Sequence, residues 1–246
     1  MFSPDTMQTF ELFSLSHISV LIVFFILLLL MLVFRQQIKD EKTGKVVGYL
    51  LLTTLIASEI SYQVWSISAG VWNVQNYLPL QLCSFSTFFG IYLYWKRNNW
   101  IFYFYFYIGL IPPILALLTP DLLFEFPHYR YFKFFIHHMA IPLMAVYLLI
   151  NRGYQLKVQS ILYGLLLLNI MIVPIFLINK WTGANYFFLM GAPKGDTALS
   201  WFGTGIQYYV GLEIAAVLIF LISYVLSKGM TGVEKVYYSL SKKKAS

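Results

Sequence analysis

Seven apolar runs divide this chain, at residues 18–34, 46–67, 78–94, 101–118, 132–150, 160–178 and 206–226. Each reaches the roughly 17 to 25 residues that an α-helix needs to cross a bilayer. In hydrocarbon only helices and closed barrels satisfy their backbone groups, so the runs predict helices. A soluble fold of 246 residues could not hide this much apolar surface, with 59% of residues hydrophobic and 11% charged. The expected architecture is an all-α polytopic membrane protein, a seven-transmembrane-helix bundle forming a single integral membrane domain over residues 1–246. The sequence holds no repeat and no low-complexity linker.

The basic residues predict an orientation. With the N-terminus outside, thirteen of the seventeen Lys and Arg fall in inner segments: Arg35, Lys39, Lys42, Lys45, Lys96, Arg97, Arg152, Lys157, Lys228, Lys235, Lys242, Lys243 and Lys244. Arg130, Lys133, Lys180 and Lys194 stay outside, together with Asp5, Glu11, Asp121, Glu125 and Asp196. This is the positive-inside pattern, N-terminus out and C-terminus in. Acidic residues precede the first run and Arg35 follows it, which predicts a retained helix rather than a cleaved signal. The formal charge of +7 is thus mainly a topology signal. Basic residues dispersed over short loops argue against nucleic acid, whereas the tail 228–244 suits anionic inner-leaflet lipid.

Five ionisable residues interrupt the runs: Glu59, Cys83, His137, His138 and Glu213. At a rise of 1.5 Å per residue all five lie ~7 to 13 Å below the outer ends of their helices. Burying such groups in lipid is costly, so a shared depth predicts one polar site. Glu59, Tyr62, Gln63 and Ser66 stand at i, i+3, i+4 and i+7, one helical face. Pro79, Cys83, Thr87 and Gly90 form a stripe of mostly small residues, and Tyr209, Glu213 and Ala216 another face. Pro79 is expected in the first turn of its helix, and Pro142 denies the His138 carbonyl its helical donor.

The sharpest chemistry these residues suggest is a Cys83 nucleophile with His137 or His138 as base and Glu59 or Glu213 tuning it, moving an acyl group through a thioester. Gln81 and Asn185 are the candidate oxyanion donors. A second reading is a transporter or receptor that binds lipid or ions at a buried His/Glu site. Adjacent histidines lack the i, i+4 spacing that places two on one metal, so neither metal nor cofactor is expected. One cysteine excludes an internal disulfide, and the last helix has no lysine for a retinal Schiff base. The segment 179–205, with Asn185 and Tyr186, is longer than a plain connection needs and is expected to cap the site or contact substrate.

The Leu78-Pro79-Leu80-Gln81-Leu82-Cys83 run, the His137-His138 pair with Pro142, and the Asn185-Tyr186-Phe187-Phe188-Leu189 segment together resemble the YwaF-type (TP0381-type) integral membrane family of bacteria. That family is similar to eukaryotic transmembrane acyltransferases that remodel ether phospholipids. The resemblance implies a multi-pass protein of the bacterial cytoplasmic membrane, a catalytic cysteine at Cys83, and a phospholipid or other acyl donor as partner. Gln81 departs from the pattern, since many bacterial members carry histidine there.

Overall fold

The computed structural model describes residues 2–4, 9–193 and 197–244, with side chains as far as residue 231. Asp5, Lys194 and Asp196, and the side chains of Lys235, Lys242, Lys243 and Lys244, lie outside the described residues. Part of the orientation count and the lipid contact expected of the basic tail rest on them.

The chain runs through α1 (Leu15–Val33), a short α2 (Arg35–Lys39), α3 (Glu41–Ser68), α4 (Leu82–Trp95), α5 (Asn99–Leu118), α6 (Tyr129–Asn151), α7 (Gln159–Thr182) and α8 (Ile206–Lys244). Two 3-10 turns, Tyr186–Phe188 and Ala198–Phe202, lie between the last two helices. Polar caps set several starts. The Asp40 carboxylate accepts the amides of Lys42 and Thr43 and begins α3 five residues ahead of its apolar run. Asn98 accepts from the amide of Ile101 to begin α5.

Six helices among the described residues are long and apolar enough to cross a membrane: α1, α3, α5, α6, α7 and α8 over Ile206–Thr231. The protein is therefore an all-α, multi-pass membrane protein with about six long spans. The expected helix at 78–94 is the exception. It becomes α4, whose 14 residues rise only about 21 Å against a hydrocarbon layer of about 30 Å. Pro79 disfavours helix at Leu78, the Leu80 amide turns back onto the Leu78 carbonyl at 2.7 Å, and Gln81 is extended at ψ 155°. Pro79 thus precedes the helix instead of starting it, and Cys83 is its second residue.

α5 and α6 form the centre. α6 packs against α1, α2, α3, α4 and α5, while α5 packs against α4, α6, α7 and α8. At their contact Gly109 of α5 stands against Ile141, and the buried Tyr105 hydroxyl donates to the carbonyl of Ile141 beside Pro142 at 3.1 Å. α1, α7 and α8 leave most of their apolar faces outward, as Leu29, Leu166 and Leu221 show. His17 is a satisfied core histidine: Nδ1 accepts from the Phe13 amide and Nε2–H donates to the Leu117 carbonyl at 2.8 Å.

α7 reaches the centre through Gly164. A Cβ built there would meet Phe220 of α8 and Tyr107 of α5, each at 2.8 Å, and those two rings stack at 4.6 Å. Gly164→Ala is therefore expected to destabilise the protein by about 1 to 3 kcal/mol, because the stacked pair has to separate to admit a methyl group. Equilibrium unfolding in mixed micelles measures it. An unchanged stability would mean that α7 shifts outward at no cost.

Candidate functional site

The polar side chains that the structure brings together come from α3, α4 and α6. Glu59 and His137 are buried, with His137 fully enclosed. Glu59 Oε1 accepts from the Ser84 hydroxyl at 3.1 Å. His137 Nδ1 pairs with Ser58 Oγ at 3.1 Å. Its Nε2 lies 3.4 Å from Thr87 Oγ1 and 3.9 Å from Glu59 Oε2. Thr87 also donates to the carbonyl of Cys83 at 3.3 Å. Hydroxyls thus fill the gaps around a histidine–carboxylate pair, as burial of such groups demands. Glu59 Oε2 is buried without a hydrogen-bond partner among the described residues.

The helices dictate this convergence. Ser58 and Glu59 are adjacent on α3, while Ser84 and Thr87 stand at i and i+3 on α4 and so share one face. His137 lies on the α6 face that meets both helices. Lys133 precedes His137 by one turn, and its ammonium lies 4.3 Å from the centre of the Tyr62 ring on α3. Sequence reasoning used Thr87 only as a small residue and missed Ser58, Ser84 and Lys133. The i, i+4 spacing of Lys133 and His137 was the available signal for the lysine.

Several expected members stand elsewhere. His138 turns away, its Nδ1 bonded to the Phe134 carbonyl at 2.8 Å and its ring against that of Phe134. Glu213 is exposed on α8 and reaches only Asn169 of α7, at 3.5 Å. Gln63 serves the α3–α4 connection, donating to the Tyr77 carbonyl and accepting from the Trp72 indole. Gln81 Oε1 accepts from the Phe187 amide at 3.1 Å, so it holds the loop after α7. Asn185 closes that loop on itself, accepting from Met190 and donating to Gly191.

Tyr186 is a clamp. Its hydroxyl donates to the Val74 carbonyl at 2.6 Å and accepts from the Leu78 amide at 3.0 Å. Its own amide and carbonyl are both held by the buried side chain of Asn179, at 2.9 and 2.8 Å. The segment therefore packs over the start of α4, with Phe187 edge-on to Phe85. Phe187 and Phe188 both adopt left-handed backbone, φ 58° and 55°, a conformation that costs a residue with a Cβ about 1 to 3 kcal/mol.

The cysteine–histidine dyad is overturned by this geometry. Among the described residues no hydrogen bond joins the Cys83 thiol to either histidine, and the thiol packs against the apolar core. Thr87 links His137 to the Cys83 carbonyl and not to its sulfur. Nor do Cys83, His137 and Glu59 close into a triad: among the described residues no three His, Cys, Asp or Glu side chains come close enough to share an ion. What the chain holds is a buried His137–Glu59 pair within membrane helices.

Where α6 begins, a second group of charges gathers. The Arg130 guanidinium lies 4.6 Å from the Tyr62 ring centre, 5.3 Å from that of Trp65 and 5.4 Å from that of Phe124. Burial, with the charge of Arg130 nearby, holds the His128 imidazole below its ordinary range. Neutral His128 then caps α6, with Nδ1 accepting from the Arg130 amide at 3.0 Å and Nε2–H donating to the Ser3 carbonyl at 2.7 Å.

Fold and site together define a multi-pass helical membrane protein with a buried histidine–carboxylate pair. The chain belongs to the TMEM164 family, whose sequence pattern matches residues 12–224. This replaces the YwaF-type resemblance read from short motifs, and with it goes the acyltransferase chemistry and the cysteine nucleophile that the resemblance carried. No curated protein and no solved structure matches the chain.

Proposed function

We propose that this is a non-enzymatic, ligand-binding membrane protein, a transporter or receptor for lipid or ions, working through the His137–Glu59 pair. The observation that carries the reading is Glu59 Oε2, which is buried without a hydrogen-bond partner and lies 3.9 Å from His137 Nε2. An open acceptor beside a titratable ring, inside the membrane, suits a proton, a cation or the cationic part of a lipid. Residues 1–246 would act as one integral membrane domain, N-terminus out and C-terminus in, with α4 counted as a seventh, incomplete span. The cytoplasmic membrane of a bacterium is the compartment to which that charge asymmetry would apply. A phospholipid is the proposed partner, with anionic lipid at the basic tail.

Native mass spectrometry of the protein in mild detergent tests the reading. Wild type is expected to retain a ligand that leaves on organic denaturation, Glu59→Gln and His137→Asn to lose it, and Cys83→Ser to keep it unchanged. Retention by both polar-pair variants, or loss confined to Cys83→Ser, overturns the proposal.

A further inference from the structure

Among the described residues, neither cation at the start of α6 makes a salt bridge. Arg130 and Lys133 stand at i and i+3, on one side of the helix, and both charged heads lie within 5 Å of the centre of the Tyr62 ring, at 4.6 and 4.3 Å. Among the described residues no carboxylate oxygen lies within salt-bridge distance of either. The groups facing them from each packed element account for this. On α3 these are Tyr62 and Glu59, whose Oε1 is engaged by Ser84 and whose Oε2 makes no hydrogen bond to either cation. On α4 there is the Cys83 thiol. The connection 69–81 contains no acidic residue. In the connection before α6, both oxygens of Glu125 are occupied by Ser16, Phe126 and the Glu11 amide.

Arg130 carries a second mark of an absent partner. Its Nε is buried and makes no hydrogen bond, although a guanidinium usually spends its donors on a planar or tetrahedral oxyanion when removed from water. Ring faces attract these cations but accept no N–H in the plane of the guanidinium, so stacking leaves that donor unused. Two like charges on one aromatic ring also repel each other until an anion stands between them.

We infer that Arg130 and Lys133, held on Tyr62, form a recognition site for a phosphate-class oxyanion. Arg130 supplies the directional N–H donors and Lys133 the second charge, while Tyr62 fixes their spacing. The same chemistry is met in free phosphate and in a phospholipid headgroup. The inference deepens the ligand-binding reading and rests on it, adding an anion subsite one turn from the His137–Glu59 pair.

The full chain in detergent is titrated with inorganic phosphate by calorimetry. In parallel it is placed in nanodiscs of phosphatidylcholine alone, or with phosphatidic acid at about 4:1, and the phosphatidic acid retained on extraction is counted by native mass spectrometry. Arg130→Gln and Lys133→Gln are each expected to weaken binding about tenfold, the loss of one charge-assisted contact. Lys133→Arg should keep most of it, and Lys180→Gln should leave it unchanged. Dependence in the phosphate arm identifies the free ion, and dependence in the nanodisc arm alone identifies the headgroup. No binding in either arm, or binding indifferent to both Gln variants while Lys133→Gln unfolds like wild type, overturns the anion site. If Glu59→Gln and His137→Asn release the ligand while these variants do not, only the anion subsite fails.

Discussion

Replacing His137 with leucine will lower the unfolding free energy by about 2 to 5 kcal/mol, since each buried polar group left without its partner costs about 1 to 3 kcal/mol. The leucine removes a partner from three groups at once: Ser58 Oγ and Thr87 Oγ1 each lose a ring nitrogen, Thr87 keeping the Cys83 carbonyl, and Glu59 Oε2 loses the ring nitrogen 3.9 Å away. None has water to turn to in the membrane interior. Glu59→Gln alone will cost less, because the amide oxygen still accepts from Ser84 and no charge is left behind. In the double variant the remaining groups are neutral, so the two effects will not add, and a coupling of about 1 to 3 kcal/mol is expected. Equilibrium unfolding of the four proteins in mixed micelles closes the cycle. Strict additivity would mean that the 3.9 Å approach carries no energy and that each side chain is held by its hydroxyls alone.

The second large effect concerns the loop after α7. Asn179→Leu will free residues 183–191 from the start of α4, since both amide atoms of Asn179 serve the backbone of Tyr186. Each buried peptide group left unpaired costs about 1 to 3 kcal/mol. Phe187 and Phe188 also gain by leaving left-handed backbone. Amide exchange across 183–191 is expected to quicken by about 30-fold or more, equivalent to roughly 2 kcal/mol, while α5 and α6 keep their protection. If exchange stays slow, the Tyr186 hydroxyl and its contacts with Val74 and Leu78 suffice to hold the segment.

Much of the helical frame was legible because membrane helices advertise themselves by length. Six of the seven apolar runs became long helices, with starts displaced where a polar cap such as Asp40 extended them. The seventh was misjudged because hydropathy counts Leu78 and Leu80 as helix, whereas Pro79 acts on backbone geometry. Depth arithmetic pointed to the pairing of Glu59 with His137, but depth carries no azimuth. His138, one residue from His137, is rotated by about 100° and finds its own helix. Glu213, assigned the same depth by that arithmetic, is exposed beside Asn169. Gln81, Asn185 and Tyr186 were recognised as notable and given chemical roles, while their side chains hold a loop. Polar residues in a membrane protein are costly wherever they stand, so sequence marks the structural ones as strongly as the functional ones.

The shortness of α4 bears on how the chain is made. Fourteen residues opening with Leu82 and Cys83 include Ser84, Ser86 and Thr87, too few apolar groups to leave the translocation machinery as an independent unit. As an incomplete span α4 would enter together with α3, which supplies the partner for Ser84, while Ser86 bonds the carbonyl of Leu82 on its own helix and Thr87 waits for His137 on a helix made later. On that reading Glu59 and His137 would act first as the groups that let a marginal segment stay in the membrane, and the event that completes insertion would also complete the polar site.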